Sequence, residues 1–145
     1  MSTIYLTGTR TPGQALQQFL PDYLDTLHQD GDTLLTTNKP GVDRLIIGHC
    51  ERESLPLQVI EFAHRSGDGH RKVKPKAKAI QVQRVVSQSW QRFRYLTDRS
   101  DKIQFFHSSR AGNTGSITTA DAFAQACERR GVDGEQYFIR RQHAA

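Results

Sequence analysis

Apolar positions along the chain change repeatedly between the spacing of a strand and the spacing of a helix. Short runs rich in β-branched, leucine and aromatic residues are typical of strands. Five such runs occur: TIYLTG from Thr3, DGDTLLTT from Asp30, LPLQVIEF from Leu55, DKIQFFHS from Asp101 and EQYFIRR from Glu135.

Helical patterns separate these runs. From Pro12 to His28, apolar residues recur at i, i+3, i+4 and i+7, and Pro12 suits a first helical turn. A second helix is predicted at VDRLIIGHCERES, from Val42. The loop GNTGS opens a last helix, which Gly131 closes.

The segment IQVQRVVSQSWQRFRYLTDRS, which begins at Ile80, also has apolar residues at helical spacing. They are Val82, Val85, Val86, Trp90, Phe93 and Leu96. We therefore expect a third helix over the whole of this segment.

Strands that alternate with helices indicate a parallel sheet covered on both faces. Right-handed crossovers then give a doubly wound sheet. The sequence predicts an α/β fold with three layers, in which a mostly parallel, five-stranded, Rossmann-like sheet forms one domain over residues 1–145. Neither internal repeats nor linkers interrupt it.

Composition adds a charge and a compartment. The 145 residues carry a formal net charge of +5 with a pI of about 9.5, which favours phosphate-bearing partners but does not choose between nucleotides and nucleic acid. Cys50 and Cys127 match no metal or redox spacing, so we expect them to pack, reduced, inside helices. With no targeting or membrane-spanning pattern, we expect a soluble cytoplasmic protein that has no membrane partner.

Residues 63–79, AHRSGDGHRKVKPKAKA, show no periodicity and form a predicted long basic loop. Its basic side chains are Arg65, Arg71, Lys72, Lys74, Lys76 and Lys78. It is either a solvated segment or a lid that attracts anions. Because aromatic residues are not interleaved with the charges, the loop does not suit stacking on single-stranded nucleic acid.

Three predicted loops follow strands at the carboxyl edge, where ligands bind in doubly wound sheets. They are Gly8, Thr9 and Arg10, then residues 36–43, then residues 107–116. Two of these loops hold the glycines and hydroxyls that let backbone N–H groups approach an anion. None matches G-x-G-x-x-G or a Walker loop, and no metal-ligand cluster is present, so no cofactor is predicted.

The segments LTGTR, GDTLLTTNKPGVDRL and RFRYLTDRSDKIQFFHSSRAGNTGSITTADAF resemble the SLOG superfamily over nearly the whole chain. This superfamily includes the Rossmann domain of DNA-processing protein A (SMF), the Lonely Guy phosphoribohydrolases and YspA-like small proteins. GTR stands at the family's Gly-Ser-Arg, TTNKPGVD at its Thr-Gly-Gly-x-x-Gly-x-Asp loop, and GNTGS at its last glycine-rich loop.

The resemblance implies that a nucleotide-type ligand binds at these loops. The implied ligand-binding residues are Gly8, Thr9, Arg10, Thr37, Asn38, Lys39, Gly41, Asp43, Arg92, Arg94, Gly112, Thr114, Gly115 and Ser116. Asn38 and Lys39 replace the paired glycines, and Phe93 replaces the polar residue between the two arginines. The last loop lacks the glutamate of the phosphoribohydrolase motif, so the catalytic residues stay unknown and an enzyme is not favoured.

Several of these residues have a second interpretation. Asp43 either accepts a hydrogen bond from a ligand hydroxyl or only interacts with the helix dipole. Arg92 and Arg94 lie two apart, so one is expected to face the site and the other the solvent. Ser116 is either a ligand contact or an N-cap.

The leading hypothesis is binding of a nucleotide or nucleotide-derived ligand, as a sensor or carrier module. Two alternatives remain: a hydrolase of the phosphoribohydrolase or N-glycosidase type, and a nucleic-acid-binding protein of the DNA-processing type. A homodimer is also expected, because family members commonly pair and because Val86, Trp90 and Phe93 place apolar side chains on more than one stripe of the predicted third helix.

Overall fold

The computed structural model describes residues 2–63, 78–87, 89–108 and 114–139. In chain order, the elements within these ranges are β1 (Thr3–Gly8), α1 (Gln14–Gln29), β2 (Thr33–Thr37), α2 (Val42–Glu53), β3 (Leu57–Ala63), β4 (Ile80–Val86), α3 (Ser89–Asp98), β5 (Lys102–Ser108), α4 (Thr114–Arg130) and β6 (Asp133–Ile139). The predicted basic loop lies mostly outside the described residues.

The described strands form one sheet in the order β4-β3-β2-β1-β5-β6, and every neighbouring pair is parallel. The central strand is β1, where Tyr5 is in register with Leu35 of β2 and with Ile103 of β5. Helices lie on both faces. The predicted three-layer, Rossmann-like α/β fold is therefore confirmed, but the sheet has six described strands and not five.

The additional strand is β4, which corrects the prediction of one long helix from Ile80. Residues 80–86 form a strand in register with β3, and only the later part of the segment is helical, as α3. The run IQVQ alternates apolar and polar residues and is rich in β-branched side chains, which is strand chemistry. The helical spacing was an artefact of joining the apolar positions of a strand to those of a helix.

Two hydrophobic cores follow from the alternation of side chains along the strands. Ile4 and Leu6 of β1 face one side, where they pack against buried residues of α1 and α2. Tyr5 faces the other side, with Leu96 of α3 and Phe123 of α4. Cys50 lies in the first core and Cys127 in the second, both free and buried, so the predicted packing role is confirmed.

The strand order places later strands on both sides of β1. From β1 the chain adds β2, β3 and β4 on one side of the sheet, and then β5 and β6 on the other side. At the carboxyl edge between β1 and β5, the Gly13 N–H at the start of α1 donates to the Ser108 hydroxyl. Within the described part of the chain, no helix has the length and apolar character needed to span a membrane.

Candidate functional site

Asp43 lies in the first turn of α2 and joins the ends of β1 and β2. Its carboxylate accepts a hydrogen bond of 2.8 Å from the Thr7 hydroxyl and another from the Thr37 hydroxyl. The residue is 0% exposed. This carboxylate therefore holds together two neighbouring strand ends and one helix from within the protein.

Burial raises the pKa of Asp43 from the usual 3.8 to about 6, because the interior disfavours the charged form. The positive charge of Lys39 and the hydroxyls of Thr37 and Thr7 oppose this rise. At neutral pH the group is therefore mainly an ionised carboxylate. Its negative charge attracts the positive charge of Lys39, which lies in the loop that follows β2.

Two of the predicted ligand-loop glycines make close contacts with the protein's own chain. A Cβ atom on Gly8 would overlap with the Phe106 carbonyl oxygen and would lie 2.8 Å from a methyl carbon of Val42. Gly41 has a φ of 93°, and a Cβ there would overlap with the backbone of Thr9. The Val42 N–H also donates to the Thr9 carbonyl, so the loop after β2 packs on the loop after β1. Chain packing alone accounts for both glycines.

A cavity of about 230 Å³ lies beside this junction, between the sheet and α3. Its lining residues come from three strands, the loop after β2, and α3. They are Tyr5, Thr37, Asn38, Lys39, Phe62, Arg92, Phe93 and Leu96. The cavity therefore lies at the carboxyl edge of the sheet, on the α3 face, and it brings together four of the predicted site residues.

Asn38 is the most unusual polar group in this lining. The residue is 1% exposed, and among the described residues no group accepts a hydrogen bond from its side-chain Nδ2. Its backbone carbonyl accepts a bond of 3.2 Å from Arg44 Nε, which holds the loop in place. An unsatisfied buried donor costs on the order of 1–3 kcal/mol, so such a group calls for an explanation.

The wall opposite the loop combines aromatic rings with a cation. The Arg92 guanidinium lies over the Phe62 ring, 5.4 Å from its centroid, and Phe62 meets Tyr95 edge-on at 5.8 Å. Phe93 contacts Phe123 of α4 with a centroid distance of 6.5 Å. These contacts fix the orientation of a flat guanidinium and of the rings around it, which gives the cavity surfaces suited to stacking.

Tyr5 connects the cavity with the buried carboxylate. Burial raises the pKa of this phenol, and the nearby Asp43 charge raises it further, so the ring enters the lining as a neutral side chain. Thr37 makes the same connection, because it lines the cavity and donates its hydroxyl hydrogen to Asp43. A change in the charge of Asp43 therefore affects two lining residues, Tyr5 and Thr37.

The remaining predicted residues lie elsewhere. Arg10 and Arg94 are exposed, whereas Thr9 is half-buried and its N–H donates to the Phe106 carbonyl. The expected division between the two arginines is seen, since Arg92 lines the cavity and Arg94 faces the solvent.

The last predicted loop is seen only in part. Gly112 lies outside the described residues. Thr114, Gly115 and Ser116 form the first turn of α4, which begins at Thr114. Ser116 therefore lies inside the helix and is not its N-cap.

Sequence reasoning missed Tyr5 and Phe62 altogether, and it treated Phe93 and Leu96 only as packing residues. Tyr5 shares a face of β1 with Thr7, two residues further on, but Thr7 is not among the predicted site residues, so this pattern gave no signal. Phe62 carried none, since its position at the carboxyl edge of the sheet depends on how β3 pairs with β2.

The lining can bind and orient a molecule, but it carries no acid–base pair. Its eight residues include two cations, one amide and no carboxylate. Within the described ranges, no three potential metal-ligating side chains come together either. No model of a known protein family matches the chain, and a search of curated proteins finds no relative.

Proposed function

We propose that this protein binds a nucleotide or a nucleotide-derived molecule in the cavity beside the β2–α2 loop, and that it acts as a sensor or carrier module. The observation that carries the proposal is Asn38, a lining residue whose side-chain nitrogen is a buried donor with no acceptor among the described residues. A ligand acceptor would satisfy it.

Charge and shape support a ligand of this class. Lys39 and Arg92 lie on the lining together with Tyr5, Phe62 and Phe93, so cations and aromatic surfaces are close to one another. Nucleotides combine a flat ring with an anion. The volume of about 230 Å³ is below the usual range of about 300–1,000 Å³ for drug-sized ligands, which suits one part of a mononucleotide better than a dinucleotide.

The resemblance of the loop sequences to SLOG proteins is a second, independent support, and we attribute the chain to that group as part of the same proposal. The buried Asp43 has a different role in it. Because its carboxylate accepts hydrogen bonds from Thr7 and Thr37, we assign it to positioning the loop that carries Asn38 and Lys39.

Two measurements test the proposal. Mass spectrometry of small molecules released from the purified, denatured protein should find a nucleotide-derived compound. Isothermal calorimetry with AMP, GMP, CMP, UMP and ADP-ribose should show saturable binding to at least one of them. If no compound is released and none of the five binds, the proposal is wrong.

The same samples separate binding from catalysis. Chromatography of each nucleotide after long incubation with the protein should recover it unchanged, because no carboxylate is among the lining residues. Release of a free base or of ribose 5-phosphate in proportion to protein concentration would instead support the hydrolase alternative.

A further inference from the structure

The side chains that line the cavity determine which part of a nucleotide enters it. This inference rests on the proposed function. We infer that the base occupies the cavity and accepts a hydrogen bond from Asn38, while the phosphate stays outside, near Lys39. Most of the lining is apolar or aromatic, and the ammonium of Lys39 belongs to a half-buried side chain.

The first argument concerns Thr37. Its hydroxyl hydrogen is directed to the buried Asp43 carboxylate, and its oxygen is also paired with the Tyr5 phenol, so this side chain has no hydrogen left to donate to an anion. A phosphate has only acceptor oxygens at neutral pH and would face that oxygen without a donor. A base edge, which carries donors as well as acceptors, has no such conflict.

The second argument concerns charge. The ionised Asp43 lies directly behind Thr37 and is close enough to Tyr5 to influence its ionisation. A phosphate placed beside Thr37 would therefore lie close to this buried negative charge, whereas the cations of the lining, Lys39 and Arg92, lie in the loop after β2 and on α3. An uncharged ring there avoids this repulsion.

The third argument concerns the walls. Phe62 and Leu96 are buried apolar side chains, Phe93 is half-buried, and Tyr5 is a neutral phenol. The Arg92 guanidinium, whose central carbon lies 5.4 Å from the centroid of the Phe62 ring, adds a cationic surface. Rings and guanidinium planes bind bases by stacking, and every base has a suitable face. The base is then selected by the atom that accepts a hydrogen bond from Asn38.

Lys39 is placed to hold the phosphate. It directly follows Asn38 in the chain, and it is half-buried where Asn38 is fully buried. The backbone at the start of α2 is a poorer anion site, because Gly41 packs on Thr9 and the first turn already contains the Asp43 carboxylate. The ammonium group of Lys39, at the rim of the cavity, therefore takes the place of backbone N–H groups that a phosphate cannot reach.

Direct calorimetry tests the orientation. The probes are adenosine, guanosine, cytidine and uridine, each with and without a 5′-phosphate, together with ribose 5-phosphate. We expect ribose 5-phosphate to bind at least tenfold more weakly than the best nucleotide. The corresponding nucleoside should keep measurable affinity. Equal affinity for ribose 5-phosphate and the nucleotide would overturn the inference and leave the proposed function standing.

Two variants test which end of the ligand contacts Asn38 and which end contacts Lys39. Asn38→Leu, of similar size, should weaken nucleoside and nucleotide about tenfold but leave ribose 5-phosphate unchanged. Lys39→Ala should weaken the nucleotide about tenfold and leave the nucleoside unchanged. The matched controls are the exposed residues Gln81 and Arg52, as Gln81→Leu and Arg52→Ala, which should change neither.

Stability distinguishes a binding role of Asn38 from a structural one. Because the wild-type amide nitrogen has no partner among the described residues, Asn38→Leu should unfold at the same temperature as the wild type or at a higher one. Should this variant not fold, the side-chain amide resonance of Asn38 in the wild type provides the test. It should shift on addition of the nucleoside and not with ribose 5-phosphate, and the opposite result would overturn the inference.

Discussion

The Thr7 hydroxyl at the end of β1 donates a 2.8 Å hydrogen bond to the buried carboxylate of Asp43 in the first turn of α2. A single side chain thus connects a strand of the sheet centre to the helix that follows the next strand. Because Asp43 also accepts a bond from Thr37, whose neighbour Asn38 lines the cavity, the geometry of the candidate site depends on this contact.

We expect Asp43 to make stability fall as pH rises. Its folded-state pKa of about 6 lies above the usual 3.8, so between these values the folded protein holds one more proton than the unfolded chain. The free energy of unfolding should therefore fall by about 2 kcal/mol between pH 4 and pH 7. Urea denaturation at pH 4 and pH 7 measures it.

The variant Asp43→Asn isolates this contribution. Since it does not titrate, its stability relative to wild type should improve by about 2 kcal/mol from pH 4 to pH 7. The exposed Asp22 provides the control as Asp22→Asn. A wild-type and Asp43→Asn difference that does not change with pH would contradict the assignment.

Gly41 should be the least replaceable glycine of the described chain. With a φ of 93° and the backbone of Thr9 and Arg10 against its α-carbon, Gly41→Ala should lower the free energy of unfolding by about 3 kcal/mol. Gly131→Ala is the matched control, because Gly131 also has a positive φ of 65° but nothing lies within 4 Å of an added Cβ. It should cost about 1 kcal/mol. Equal losses would show that loop packing does not constrain Gly41.

Arg92 should contribute to affinity by its shape as well as by its charge. Arg92→Lys keeps the charge but loses the flat guanidinium over Phe62, and we expect about a fivefold loss of nucleotide affinity. Arg84→Lys, on the exposed part of β4, should have no effect. Full affinity in Arg92→Lys would indicate that only charge acts at this position.

A two-fold dimer stays a prediction, although the apolar residues that support it are no longer those of the predicted third helix. Val86 belongs to β4 and not to the third helix, while Phe93 packs against Phe123 and lines the cavity. Among the described residues, Val86 is 60% exposed and Phe138 is 43% exposed, and they lie on the two edge strands. Such edges favour association.

Light scattering across a dilution series tests the dimer. We expect a mass of about twice 16.4 kDa, because closed two-fold pairing is the commonest assembly. A mass of 16.4 kDa at every concentration would rule the dimer out.

The sequence by itself determined the elements whose pattern is local. The period of α1, the apolar run of β1 from Thr3 to Gly8, and the turn after β2 all depend on neighbouring residues, so they could be predicted closely. The sequence also singled out Thr37, Asn38, Lys39 and Arg92. Their residue types, a hydroxyl, an amide and two cations close to strand ends and a helix, are what a nucleotide site uses.

Tertiary structure alone decided how these residues combine. The apolar spacing of residues 80–98 fitted one helix although the run IQVQ has a strand pattern, and pairing with β3, a long-range property, decided between the two. Whether Asp43 faces a ligand or two threonines depends on how α2 packs on the ends of β1 and β2. The cavity exists only because Tyr5, Phe62 and Arg92, far apart in the chain, meet where three strands and α3 come together.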